Sequence, residues 1–171
     1  MKPAARELLD RIYATGKVED AEGATRDALP AGLPREHAEE LARLVVEEGA
    51  VRTLETGTPS ETALPRLGAE GLELDFALVD GLHLFDHTLV DFFYADRMLR
   101  DGGLVVFHDT WMPAVAQAVA YVEANRAYER VRAGDAAMAV LRRTGGDERA
   151  WDFHRDFAPR RGFRQRRRGG S

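Results

Sequence analysis

The sequence contains no cysteine, which excludes a disulfide framework, a thiolate metal site and a thiol nucleophile. Long apolar runs are missing as well. Stretches such as Leu104–Phe107 fall far short of the ~20 residues needed to cross a bilayer. The opening residues Met1 to Glu7 lack the apolar region of a secretory signal. A soluble, cytoplasmic protein with no membrane partner is therefore expected. No internal repeat is present, and no loop carries three spaced glycines, since Gly57 is followed by Thr58-Pro59-Ser60. Gly57 alone is therefore weak evidence for a dinucleotide-binding loop.

What is present fits a small globular chain. Its 171 residues, 44% of them apolar, suit one folded domain rather than a disordered segment. The net charge of −5 is unevenly spread: residues 159–171 hold Arg160, Arg161, Arg164, Arg166, Arg167 and Arg168 without an acid. A terminal run of +6 thus follows a body of −11. Such a run can contact nucleic acid or an acidic partner by counterion release, or remain a solvated terminus. Only Phe163 interleaves the arginines, which leaves a base-stacking platform unsupported and nucleic acid an unlikely partner.

Along the chain, Ala5, Leu8, Leu9 and Ile12 recur at helical spacing, and Thr15-Gly16-Lys17 ends that helix. Val18–Pro34 reads as a loop. Pro34 opens a second helix whose apolar face is Ala38, Leu41, Ala42, Val45 and Val46, ended by Gly49. Val51–Thr56 reads as a strand, Glu61–Ala69 as a helix capped by Ser60, and Leu72–Val79 as a strand apolar on both faces. Phe85–Leu99 reads as a long helix with Leu89, Phe92, Phe93, Ala95, Asp96 and Leu99 in its pattern. Asp101-Gly102-Gly103 turns the chain into the buried strand Leu104–Phe107. The helix Pro113–Asn125 and the strands Tyr128–Arg132 and Ala136–Arg142 follow. This alternation predicts an α/β fold with a mainly parallel sheet and an antiparallel hairpin at one edge. The domain is expected over residues 1–145, with an N-terminal helical segment at 1–49. Residues 146–171 form an arginine-rich tail, expected to be disordered.

In a parallel sheet, ligands bind beyond the carboxyl ends of the strands. Those ends are Glu55-Thr56-Gly57, Asp80-Gly81-Leu82-His83 and His108-Asp109-Thr110. Gly57 lets a ligand lie against bare backbone, or it simply turns the chain. Asp80 ends a buried strand, where a carboxylate needs donors or a cation. His83 and His87 share one face if a helix begins by Leu82. Carboxylates and imidazoles on adjacent strand ends can hold a divalent cation or perform acid–base chemistry. The plainer alternative makes Asp80 a turn cap and the two histidines surface residues. Trp111 and Met112 can line a pocket or pack in the core.

Three segments carry a resemblance: Leu74–His83 (LDFALVDGLH), Asp91-Phe92-Phe93-Tyr94, and Leu99–Asp109 (LRDGGLVVFHD). Together they resemble class I S-adenosylmethionine-dependent methyltransferases, and within them the bacterial small-molecule O-methyltransferases that include macrocin O-methyltransferase-like proteins. The resemblance spans roughly residues 4–145. It implies a Rossmann-like sheet, S-adenosylmethionine as cofactor and a small-molecule acceptor. It also implies that Glu55, Gly57 and Asp80 belong to the cofactor site and that His108 and Asp109 stand where relatives place a metal ligand or catalytic group. Gly81 joins the expected cofactor-binding residues, and His83, from its strand-end position, joins His108 and Asp109 as an expected catalytic group. Leu82 stands where metal-dependent relatives carry a carboxylate, so a metal is possible but not favoured.

The same resemblance exposes a shortening. In the family two further strands and helices separate the first cofactor motif from the Asp-Gly-x-His strand, whereas only residues 57–73 lie there in this chain. The absent second strand ends, in the family, in the acid that binds the ribose, and the absent third supplies adenine contacts. A sheet reduced in strand number is expected. A second register makes Asp80 itself the ribose acid, because it follows Gly57 at close to the ~20-residue interval of such units. A second function also stays open: a non-catalytic remnant of the fold that serves as a binding or dimerisation module, since lost strands expose apolar surface.

Overall fold

Helical spacing and a polar hairpin build the first part of the chain. In the computed structural model, which describes residues 3–19, 23–27, 33–52, 60–132 and 137–159, helix α1 spans Pro3–Thr15 and α2 spans Arg35–Glu47. Between them β1 (Lys17–Glu19) pairs antiparallel with β2 (Thr25–Asp27). The sequence reads as loop here because these two strands are three residues long and carry no apolar alternation. Arg35 ties the unit together: it pairs with Asp10 and, at 2.9 Å, with Glu39, and stands over the Tyr13 ring. Residues 1–51 make one compact unit and 52–171 a second.

The second unit begins with α3 (Ser60–Ala69) and β3 (Leu74–Val79), followed by α4 (Phe85–Met98) and β4 (Leu99–Phe107). It continues through α5 (Pro113–Asn125), β5 (Tyr128–Arg132) and β6 (Ala139–Arg143). The four strands lie in the order β3-β4-β6-β5. β3 and β4 are parallel, and β6 runs antiparallel to both its neighbours. Three strands therefore point one way and β6 the other. This is the expected α/β sheet with its antiparallel hairpin, reduced in strand number among the described residues. Val51 and Arg52 form no strand, and the remainder of the expected strand, with Glu55 and Gly57, lies outside the described residues.

Alternation along the strands decides which side is core. Ala77, Val105 and Leu141 are in register, as are Val79, Phe107 and Ala139. These six join Phe92, Ala95 and Met98 of α4 and Val115, Val119 and Val122 of α5 in one hydrophobic cluster. Leu104, Val105, Val106 and Phe107 are each at most 1% exposed, so β4 is covered on both faces. Full burial of side chains of this size is worth roughly 1.5–3 kcal/mol each.

The Gly-Gly pair, expected as a simple turn ahead of the strand, lies inside β4. Strand geometry already starts at Leu99, opposite Leu74, and the register then slips so that Phe76 meets Leu104. Gly102 supplies the left-handed conformation this needs (φ 79°). Carbonyls displaced from the ladder find side-chain donors, Gly102 from Arg142 at 2.7 Å and Leu99 from Arg143.

Residues 147–157, placed by composition in a disordered tail, are held against α5. Asn125 exchanges two hydrogen bonds with the Arg155 backbone, at 3.0 and 2.7 Å. The Phe157 and Tyr121 rings meet edge to face at 5.4 Å, and Asp147 lies 3.4 Å from Arg126. These anchors have no periodicity, so pattern reading passes over them. The arginine run from residue 160 lies outside the described residues. Among the described residues no helix is long and apolar enough to cross a membrane.

Candidate functional site

Parallel pairing of β3 and β4 brings their carboxyl ends side by side, and with them four polar residues. The ladder ends at Val79↔Phe107, and the His108 backbone N–H donates to Val79 O at 3.1 Å. Asp80 and His108 therefore emerge next to each other. His108 Nδ1 lies 2.9 Å from Asp80 Oδ1, and the imidazole is almost fully buried. With Asp80 ionised, the ring hydrogen sits on Nδ1 and donates to the carboxylate.

His83 closes the group from the loop between β3 and α4. Its Nε2 lies 3.0 Å from Asp109 Oδ2 and 3.6 Å from Asp80 Oδ1. The Asp109 contact is off the line a ring N–H bond requires, so Nε2 is sealed from solvent without a hydrogen bond. His83 precedes α4, which begins at Phe85, so it does not share a helix face with His87 as the four-residue spacing suggested. Its nearer partner, Asp109, comes from the next strand end, and Asp80 from the end of β3.

Asp109 is the only non-glycine residue with a left-handed backbone among the described residues (φ 51°). Asp tolerates this conformation better than most residues, yet such strain, of order 1–3 kcal/mol, clusters at functional sites. Its Oδ1 accepts the Trp111 indole N–H at 2.8 Å, and its Oδ2 faces His83 and, at 3.4 Å, His108 Nδ1. Gly81 is closely approached by α4: a Cβ there would stand 2.8 Å from the carboxylate Oδ2 of Asp91, which would have to shift.

Asp80, His83, His108 and Asp109 thus form one group, with Gly81 on the same loop. Asp80, His83 and Asp109 each offer one ligand atom, all within 4.8 Å of one another. That spacing suits a divalent cation bound by oxygen and imidazole. Two carboxylates also favour any cationic ligand at this strand end. A cavity of about 390 Å³, lined by α4 residues with Tyr121 and Arg126, shares no residue with the group. It holds no comparable chemistry.

A family model described as a methyltransferase domain matches residues 4–110. The chain belongs to this methyltransferase domain family. The match runs from α1 to the residue after Asp109, so every candidate site residue of this methyltransferase chain falls within it. No curated protein matches the chain.

Two features escaped sequence reading. Trp111 was expected to line a pocket or pack in the core; it is half-exposed and hydrogen-bonded to a candidate site carboxylate. Asp96, placed by spacing on the apolar stripe of α4, is buried and takes Arg126 and the Tyr128 hydroxyl, the latter at 2.7 Å. Its position in that stripe was the available signal.

Proposed function

We propose that this methyltransferase-family chain is an S-adenosylmethionine-dependent O-methyltransferase of a small molecule, acting at the Asp80–His83–His108–Asp109 group. The observation that carries the reading is the convergence of two carboxylates and two imidazoles at adjacent strand ends.

The described residues fit the amino-acid end of the methyl donor and the acceptor. Asp80 remains partly exposed, so its carboxylate can meet an ammonium group from the solvent side. When bound, the donor supplies an activated sulfonium methyl, so the protein's work is alignment and proton removal.

Each side chain then has a task. His83, whose Nε2 lies 3.0 Å from Asp109 Oδ2 without a hydrogen bond, takes the acceptor proton on its other ring nitrogen, Nδ1. Asp109 steadies the ring that gains it. His108 holds Asp80 in place from the buried side. A divalent cation on Asp80, His83 and Asp109 is a second reading, favoured by the ligand spacing; Leu82 argues against it.

The test is a mass-spectrometric screen of hydroxylated small molecules incubated with S-adenosylmethionine, with magnesium and with a chelator. A product heavier by one methylene, absent in His83→Ala, supports the reading. Loss of product with the chelator selects the cation variant. A panel without product in either condition counts against O-methylation.

A further inference from the structure

We infer that Trp111 is a positioning residue for this site: its indole N–H fixes the Asp109 carboxylate so that one oxygen, Oδ2, faces His83. The inference rests on the proposed proton-transfer role of His83, but its geometry stands independently.

Four observations converge. Trp111 is 52% exposed, so burial of its ring is not what holds it there. Its one polar atom is nonetheless committed, at 2.8 Å, to Asp109 Oδ1. Asp109 has a strained backbone, and the turn that carries it is pinned by Met112 N–H donating to Asp109 O and Thr110 N–H donating to Ala137 O. The remaining freedom of Asp109 is rotation of its carboxylate, and the Trp111 bond removes it. The carboxylate therefore has divided duties: Oδ1 is anchored, and Oδ2 meets His83 Nε2 at 3.0 Å and His108 Nδ1 at 3.4 Å. Loss of the anchor lets Oδ2 swing away from His83, and angstrom-scale misplacement of a catalytic group costs up to about 100-fold in rate.

The test uses the full chain with Trp151→Phe, which leaves Trp111 as the sole indole. In nitrogen-15 spectra at fixed pH the Trp111 N–H is expected away from the free-indole position and slow to exchange. Asp109→Gly keeps the left-handed backbone, removes the carboxylate, and should return the signal to the free position. Trp111→Phe keeps a ring without the donor; Trp111→His keeps a donor on a smaller ring. Phe should shift the His83 ring-nitrogen signals and lower kcat at least tenfold with KM for S-adenosylmethionine within twofold, while His restores most of both. A free-indole signal in the parent, or His83 signals unmoved by Trp111→Phe, overturns the inference. If no acceptor is ever methylated, the proposed function fails while the spectra still decide the role of Trp111.

Discussion

His108 at the end of β4 and Asp80 at the end of β3 meet at 2.9 Å across the parallel pair. This contact makes two strand ends into one site. Asp80→Ala deprives a buried imidazole of its carboxylate, and loss of a hydrogen bond of this kind costs about 1–3 kcal/mol. Urea denaturation is expected to show that loss. A variant as stable as the parent would mean the pair is not formed in solution.

The buried Asp96 carboxylate gives a pH dependence. Burial first, then the Asp96 charge, then the hydrogen bond to it push the Tyr128 phenol well above its ordinary value. The folded state therefore favours the neutral phenol. Its contribution is complete below the unfolded tyrosine value of ~10 and is lost as pH rises beyond it. Alkaline absorbance titration should show a tyrosine that ionises only with unfolding, and Tyr128→Phe should abolish that step.

Arg126 completes the same cluster. Its guanidinium and Asp96 are both 8% exposed in their side chains, and it stands 5.5 Å over the Phe92 ring. Removing one partner of such a pair strands a buried charge, at about 3–5 kcal/mol. Arg126→Met should unfold at markedly lower urea. Replacing Asp96 with Asn in the same chain should recover part of the loss.

The Gly-Gly pair yields two different penalties. Gly102→Ala forces a side chain into the left-handed region, costing roughly 1–2 kcal/mol. Gly103→Ala places a Cβ 2.8 Å from Leu99 Cδ1 and 3.0 Å from Arg100 O, an overpacking of about 1–3 kcal/mol. Gly103→Ala should thus be the more destabilising in calorimetry. The reverse order would mean the register slip is absent.

Much of this was legible in the residues because hydrophobic periodicity is a local signal. The helix bounds Pro113–Asn125 and the strand Tyr128–Arg132 follow directly from it. Asp80, His83, His108 and Asp109 stood out because strand ends are where an α/β sheet binds ligands. Which of them touch depends on the β3–β4 register, a long-range property. Hence the four-residue spacing sets His83 beside His87 only if a helix begins by Leu82, whereas in space His83 meets Asp109. The Trp111 contact was invisible for a related reason, since it requires the positive φ of Asp109, a conformation that spacing does not signal. Asp147 and Arg155 find partners on and just after α5 that no local pattern announces.

The assignment of methyl transfer to these strand ends is tested most directly by calorimetric titration of the full chain with S-adenosylhomocysteine, beside thermal unfolding. Binding is expected, with a stabilisation of about 2.7 kcal/mol at 100 times the dissociation constant. It should vanish in Asp80→Ala. Absence of both heat and thermal shift at millimolar ligand would contradict the catalytic reading; binding unchanged in Asp80→Ala would contradict the site.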